Sequence, residues 1–172
     1  MNTNMNTANI TRKSKKLSWL LRHGAQEAGL EMDAAGWTSV DAVCTRLRMS
    51  EAVLAEVARR NNKRRVQIAG RRVRCCQGHS LDGMPVTQDA LEASWREWSG
   101  ETLIWHGTNL RAIEGIADRG LHPIARTHVH LAPSRQSVVG KRATVQLMLG
   151  IDPALARQAG YPVYEAPNGV LL

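Results

Sequence analysis

The spacing of apolar and polar residues divides the chain into a helical first half and a mixed second half. In "TRKSKKLSWLLRHGAQEAG", Leu17, Leu20 and Leu21 recur at helical spacing, which predicts a helix that stops near Gly24. Ser18 and Arg22 lie one turn apart on a flank of that helix, away from the leucine stripe. The first dozen residues are polar and are expected to fray. "DAAGWTSVDAVCTRL" predicts a turn and then a helix capped near Thr38 or Ser39, with Val40, Val43 and Leu47 facing inward. "SEAVLAEVARRNN" predicts a further helix, capped by Ser50, packed through Val53, Leu54 and Val57, and ended by Asn61 and Asn62.

The period then changes. In "RRVQIAGRRVRCCQG", Val66 and Ile68 alternate with Arg65 and Gln67, and Val73 and Cys75 alternate with Arg72 and Arg74, around a turn at Ala69–Gly70. This predicts a hairpin with one basic face. Three helices followed by a basic hairpin make a winged-helix arrangement, which commonly touches nucleic acid through a helix or the wing. "SLDGMPVTQDALEAS" reads as a linker near residues 80–94. Beyond it "ETLIWHGT" predicts a strand running into a glycine turn, and "NLRAIEGIADRG" an amphipathic helix ended by Gly120. "HVHLA", "ATVQLMLGID" and "PVYEAP" with "GVLL" predict further strands. The fold class expected is α+β, with an N-terminal lobe over 1–90 and a C-terminal lobe over 91–172.

Composition narrows the class. A chain of 172 residues that is 43% hydrophobic can bury a core. It has no apolar run near the length of a membrane span, and the start lacks the apolar stretch of a secretory signal, so a cytoplasmic protein without membrane contact is expected. The three cysteines, two of them adjacent, are a poor basis for a disulfide framework and are expected as free thiols. Net charge is +8, and nearly all of it belongs to residues 1–90, which hold fifteen Lys/Arg against eight Asp/Glu. Eight cations (Arg59, Arg60, Lys63, Arg64, Arg65, Arg71, Arg72, Arg74) fall within sixteen positions, and no acid occurs from Arg59 to Leu81. A solvated helix end and hairpin would give such a run, but unbroken positive charge repels itself, and a polyanion such as RNA relieves that cost by counterion release.

Four of the six histidines lie between Leu103 and Ala132, with only Glu114 and Asp118 as acids among them. His106, His128 and His130 can be read as a three-imidazole metal site, as surface or hydrogen-bonded histidines, or as part of a nucleotide pocket. Against the metal, the neighbourhood offers few carboxylates for a base or an outer shell, and no metal is expected. For the pocket, Gly107 lets a backbone approach a ligand, Thr108 can cap the helix that follows, and the donors around Arg126 suit phosphate or ribose hydroxyls.

"KKLSWLLRHG", "GWTSVDAV", "NNKRRVQI", "VRCCQGHS", "WHGT", "RGLHPIARTHVHLA", "VVGKR" and "NGVLL" occur in the order and approximate spacing of the RNA 2′-phosphotransferases, and the chain from Lys15 onward resembles that family. The resemblance implies a winged-helix RNA-binding lobe followed by an ADP-ribosyltransferase-like lobe that consumes NAD as co-substrate. It implies an Arg-His-Arg-Arg quartet at Arg22, His23, Arg65 and Arg126 for phosphate recognition and catalysis. It carries the NAD pocket to His106, Gly107, Thr108, Gly120, His128 and His130, and RNA contacts to Lys16, Ser18, Lys63 and His79. Ala132 stands where the family usually has serine.

The implied reaction is attack of an internal RNA 2′-phosphate on the NAD ribose carbon that bears nicotinamide. The neighbouring ribose hydroxyl then displaces the RNA oxygen, leaving 2′-OH RNA, nicotinamide and ADP-ribose 1″,2″-cyclic phosphate. The nucleophile is already ionised, so a strong general base is unnecessary and nearby carboxylates would repel it. The implied partner is a tRNA-like RNA, as in tRNA splicing, and a monomer is expected. Two other classes fit parts of the pattern: an ADP-ribosyltransferase with another acceptor, such as a terminal nucleic-acid phosphate, and a non-catalytic winged-helix nucleic-acid-binding protein.

Overall fold

A computed structural model describes residues 6–142 and 144–172. The chain forms two compact units, the first ending at Leu91 and the second spanning Glu92–Leu172. Helix and strand are mixed, as an α+β protein requires.

The first unit begins with α1 (Thr7–His23), whose leucines Leu17, Leu20 and Leu21 are all buried. The helix starts earlier than the polar sequence suggests. The Asn6 side chain accepts from the Ala8 amide, Ile10 is buried, and Arg60 donates to Thr7 Oγ, so the first turn is capped and tied down rather than frayed. Residues 1–5 lie outside the described residues. A short strand β1 (Thr38–Ser39) leads into α2 (Val40–Leu47), and Ser39 caps it by accepting from Asp41 and Ala42. Ser50 caps α3 (Glu51–Arg59) in the same way through the Val53 amide. Val40, Val43, Leu54 and Val57 are fully buried, and the stripe read from their spacing is the core of this unit.

The hairpin is β2 (Val66–Ala69) and β3 (Arg72–Cys75), and β1 adds to it, giving an antiparallel sheet of order β1-β3-β2. Ala69 pairs with Arg72, so the turn residues are Gly70 and Arg71, one position later than expected, with Gly70 taking the positive φ of 55° that a tight turn requires. The segment read as a linker is packed. Met84, Val86 and Leu91 are buried, and α4 (Gln88–Ala93) carries the boundary between the units.

In the second unit β4 (Arg96–Glu97) pairs with β7 (Tyr164–Glu165), and β5 (Ile104–Thr108) pairs along its whole length with β6 (Leu147–Ile151). A 3-10 turn at Leu110–Ala112 leads into α5 (Ile113–Arg119), and α6 (Pro153–Gln158) is capped by Asp152. Ile104, Leu131, Val163 and Leu171 form the core. "HVHLA" is not a strand. Leu131 exchanges backbone bonds with Leu171 and Ala132 with Trp105, two different neighbours, so no ladder extends back to the histidines. Gly140 passes so close to this segment that a Cβ there would lie 2.0 Å from the Leu131 oxygen, which only glycine permits. Among the described residues no helix is long and apolar enough to cross a membrane. Cys44, Cys75 and Cys76 are free thiols.

Leu17 has no exposed surface. Leu17→Ala is therefore expected to lower the stability of the first unit by about 3 kcal/mol in urea unfolding, whereas a loss below about 1 kcal/mol would contradict its place in the core.

Candidate active site

Arg22 sits in the last turn of α1 and is buried, not on the solvent flank that helical spacing suggested. One Nη donates to Gln77 Oε1 at the long distance of 3.5 Å, while its Nε is buried without a partner. The Ser18 hydroxyl, one turn earlier, is also buried and unpartnered. The chain after the hairpin holds this helix end: Ser80 donates its amide to the Arg22 carbonyl (3.0 Å), and its hydroxyl lies 2.7 Å from His23 Nδ1.

Arg65 reaches the same neighbourhood from the loop before β2. Buried Asn61 fixes it: Asn61 Oδ1 accepts from the amides of Lys63 and Arg65 and from the Arg65 guanidinium, while its amide nitrogen donates to Ser14 Oγ on α1 at 2.6 Å. Burial and the nearby Arg22 charge together lower the Arg65 pKa. Burial pushes the adjacent Cys75 thiol up despite the opposing pull of both arginines, so it stays neutral and offers them no charge. Neither guanidinium has an acidic partner among the described residues. Two partly buried cations held close together with unused donors have the charge and hydrogen-bonding capacity that a dianion such as a phosphate monoester requires.

Four other cations of the basic run are compensated by acids. Arg59 and Arg60 pair with Glu56, Arg71 with Asp41 and Glu51, and Arg72 with Asp33. Arg71 is shifted up by these hydrogen bonds. Burial opposes ionisation of Asp33, but the Trp37 amide and Arg72 hold its carboxyl below the usual range. Arg74 is buried, lies 4.6 Å over the Trp37 ring and donates to Gln67 and the Ala35 carbonyl. The hairpin's basic face is thus largely neutralised or covered.

In the second unit His106 Nδ1 lies 3.1 Å from the His130 carbonyl, which can only accept, so His106 carries its proton on Nδ1 and presents Nε2 as an acceptor. His128 is oriented from the other side. Its Nε2 donates to Glu92 Oε1 at 3.0 Å and its ring meets Trp95 edge-on, leaving Nδ1 as a buried acceptor without a partner. The His106 and His128 rings are thereby committed to separate partners, and among the described residues no group of three or more His, Cys, Asp or Glu is placed to hold a metal.

Other expectations are corrected. Gly107 lies within β5 rather than in a turn, and a Cβ there would meet Val145 at 2.7 Å and Lys141 at 3.1 Å. Asn109, not Thr108, caps the following helical turn through the Ala112 amide. Gly120 ends α5 at a positive φ of 80°, and among the described residues no hydrogen bond draws it to the histidines. His79, expected at an RNA contact, is fully buried against Gly36 and cannot touch RNA. Lys16 is exposed and Lys63 half-buried, both in the first unit, while Arg126 is exposed in the bent segment before His128 in the second. Ala132 is buried with both backbone groups bonded to Trp105, a position where a methyl needs no partner and a hydroxyl would.

Sequence reasoning missed Asn61, Gln77 and Glu92. Asn61 looked like a helix stop, and nothing in "DALEAS" marks Glu92 as the orienter of a histidine 36 residues later.

The first unit thus holds an arginine pair without an acidic partner, and the second holds two imidazoles oriented by hydrogen bonds. The profile of "RNA 2′-phosphotransferase, Tpt1 / KptA family" matches residues 8–172. A probable RNA 2′-phosphotransferase of Burkholderia lata is 36% identical, covering 100% of this chain and 91% of that protein. Similarly named proteins of Pseudomonas aeruginosa and Streptomyces coelicolor are 33% and 32% identical, each over 92% of this chain and 88% and 87% of their own lengths. The chain belongs to the RNA 2′-phosphotransferase family and is a transferase.

Inorganic phosphate should raise the melting temperature by occupying the seat at Arg22 and Arg65. Arg22→Met, which keeps bulk but removes charge, is expected to abolish that shift without lowering stability in phosphate-free buffer. An undiminished phosphate shift in the variant would show that the seat lies elsewhere.

Proposed function

We propose that the protein transfers an internal RNA 2′-phosphate to the ADP-ribose part of NAD, giving 2′-OH RNA, nicotinamide and ADP-ribose 1″,2″-cyclic phosphate. The partly buried Arg22–Arg65 pair without an acid carries this reading, since it matches the substrate's charge in a chain of this family. The element order α1-β1-α2-α3-β2-β3 supports reading the first unit as a winged-helix RNA-binding lobe. The second unit is read as the ADP-ribosyltransferase-like lobe.

The residues fit NAD as a co-substrate. The unpartnered His128 Nδ1 and the remaining acceptor of His106 suit the hydroxyls of a nucleotide ribose, and the glycine at 107 lets β5 pack closely against Val145 and Lys141. His106, Gly107, Thr108, His128 and His130 would hold it. NAD supplies the ribose carbon that accepts the phosphate and the nicotinamide that leaves.

Arg22 and Arg65 bind and orient the phosphate, and Arg126 keeps the part in phosphate recognition and catalysis that the family resemblance gives it. They stabilise negative charge in place rather than moving protons. His23, held by Ser80, supplies a hydrogen bond or proton to the RNA oxygen as it departs. Ser18 offers its buried hydroxyl to the same phosphate, and Lys16 and Lys63 contact RNA.

Incubation with NAD and a short RNA bearing one internal 2′-phosphate should release nicotinamide and yield the dephosphorylated RNA. Arg126→Ala is expected to cut kcat/KM by roughly a hundredfold, about 3 kcal/mol, with the fold intact. Full activity in that variant would remove Arg126 from the mechanism. A persistent RNA–ADP-ribose adduct would point to a different acceptor chemistry.

A further inference from the structure

The compensated hairpin raises the question of where the first unit's uncompensated charge lies. Lys15, Lys16 and Arg46 have no ion pair among the described residues, and all three line one groove between α1 and α2, together with Trp19, Leu20 and Leu47. The groove measures about 450 Å³ and its walls are mainly apolar. Trp19 is 51% exposed, the largest apolar side chain of the first unit left in solvent. Its position is fixed, because the indole lies against Gly24, where a Cβ would come within 2.4 Å of the ring. The groove therefore presents a preset indole rimmed by three free cations and no carboxylate.

We propose that this groove is the seat of a single-stranded RNA segment flanking the modified nucleotide, with a base stacked on Trp19 and backbone phosphates at Lys15, Lys16 and Arg46. An aromatic platform inside a positive rim is how single strands are held without reading their sequence. Trp19 precedes Arg22 by three residues on the same helix, less than one turn, so a strand with its 2′-phosphate at Arg22 brings a neighbouring nucleotide within reach. The inference rests on the proposed RNA substrate and shifts the main RNA contact from the hairpin to the α1–α2 face.

Binding of a short labelled single-stranded RNA without a 2′-phosphate, followed by fluorescence anisotropy without NAD, tests the groove separately from the reaction. Trp19→Ala should weaken binding about tenfold, and Trp19→Phe should restore most of the loss. The triple variant K15A/K16A/R46A should reduce the slope of log affinity against log salt by about two. Arg59→Ala, which removes a cation already paired with Glu56, should leave binding unchanged. Unaltered binding by Trp19→Ala, or equal losses in Arg59→Ala and the triple variant, would overturn the proposal. So would binding of polyglutamate in place of RNA with the same dependence on Trp19, which marks an acidic-protein surface. Nicotinamide release by the wild-type protein from NAD and 2′-phosphorylated RNA, read in parallel, reports on the reaction itself and keeps the two failures apart.

Discussion

Two guanidinium groups brought together under partial burial repel each other and lose hydration, and in the first unit the structure must hold Arg22 and Arg65 against that tendency. It does so with covalent and hydrogen-bonded leverage. α1 is anchored by its leucines and stopped at Gly24, which fixes Arg22. Asn61 binds Arg65 through both backbone and side chain while gripping Ser14 on the same helix. The arrangement is at its least favourable when empty and improves when a dianion arrives, which is the property a phosphate-binding site needs.

The same constraint explains how the remaining charge is distributed. Acids from α2, α3 and the turn before β1 are spent on Arg59, Arg60, Arg71 and Arg72, all outside the seat. These exposed pairs add little stability individually. Their effect is to reduce the positive charge of the hairpin relative to the Arg22–Arg65 pair and to the face bearing Lys15, Lys16 and Arg46.

The helices of the first unit were legible because a leucine or valine stripe and a serine cap act within a few residues, and the caps at Ser39 and Ser50 lie where the sequence placed them. The hairpin was legible too, displaced by one residue at its turn. What escaped was long-range. The run from Arg59 to Leu81 contains no acid, yet Asp33, Asp41 and Glu51 reach Arg71 and Arg72 from 20 to 39 positions away. "HVHLA" has a strand's alternation, but its backbone partners diverge after two residues. Motif order rather than periodicity singles out Arg22, His23 and Arg65; Asn61 and Glu92, which hold Arg65 and His128, carry no local signal because each acts on a residue fixed by tertiary packing.

The proposed reaction depends on recognition of a phosphate on the RNA ribose by the partly buried pair Arg22 and Arg65. Isothermal titration of two matched RNAs, one bearing an internal 2′-phosphate and one without it, in the absence of NAD, measures that recognition alone. The phosphate is expected to tighten binding by about a hundredfold, as two charge-assisted contacts at roughly 1.5 kcal/mol each would give. Equal affinity for the two RNAs would contradict it.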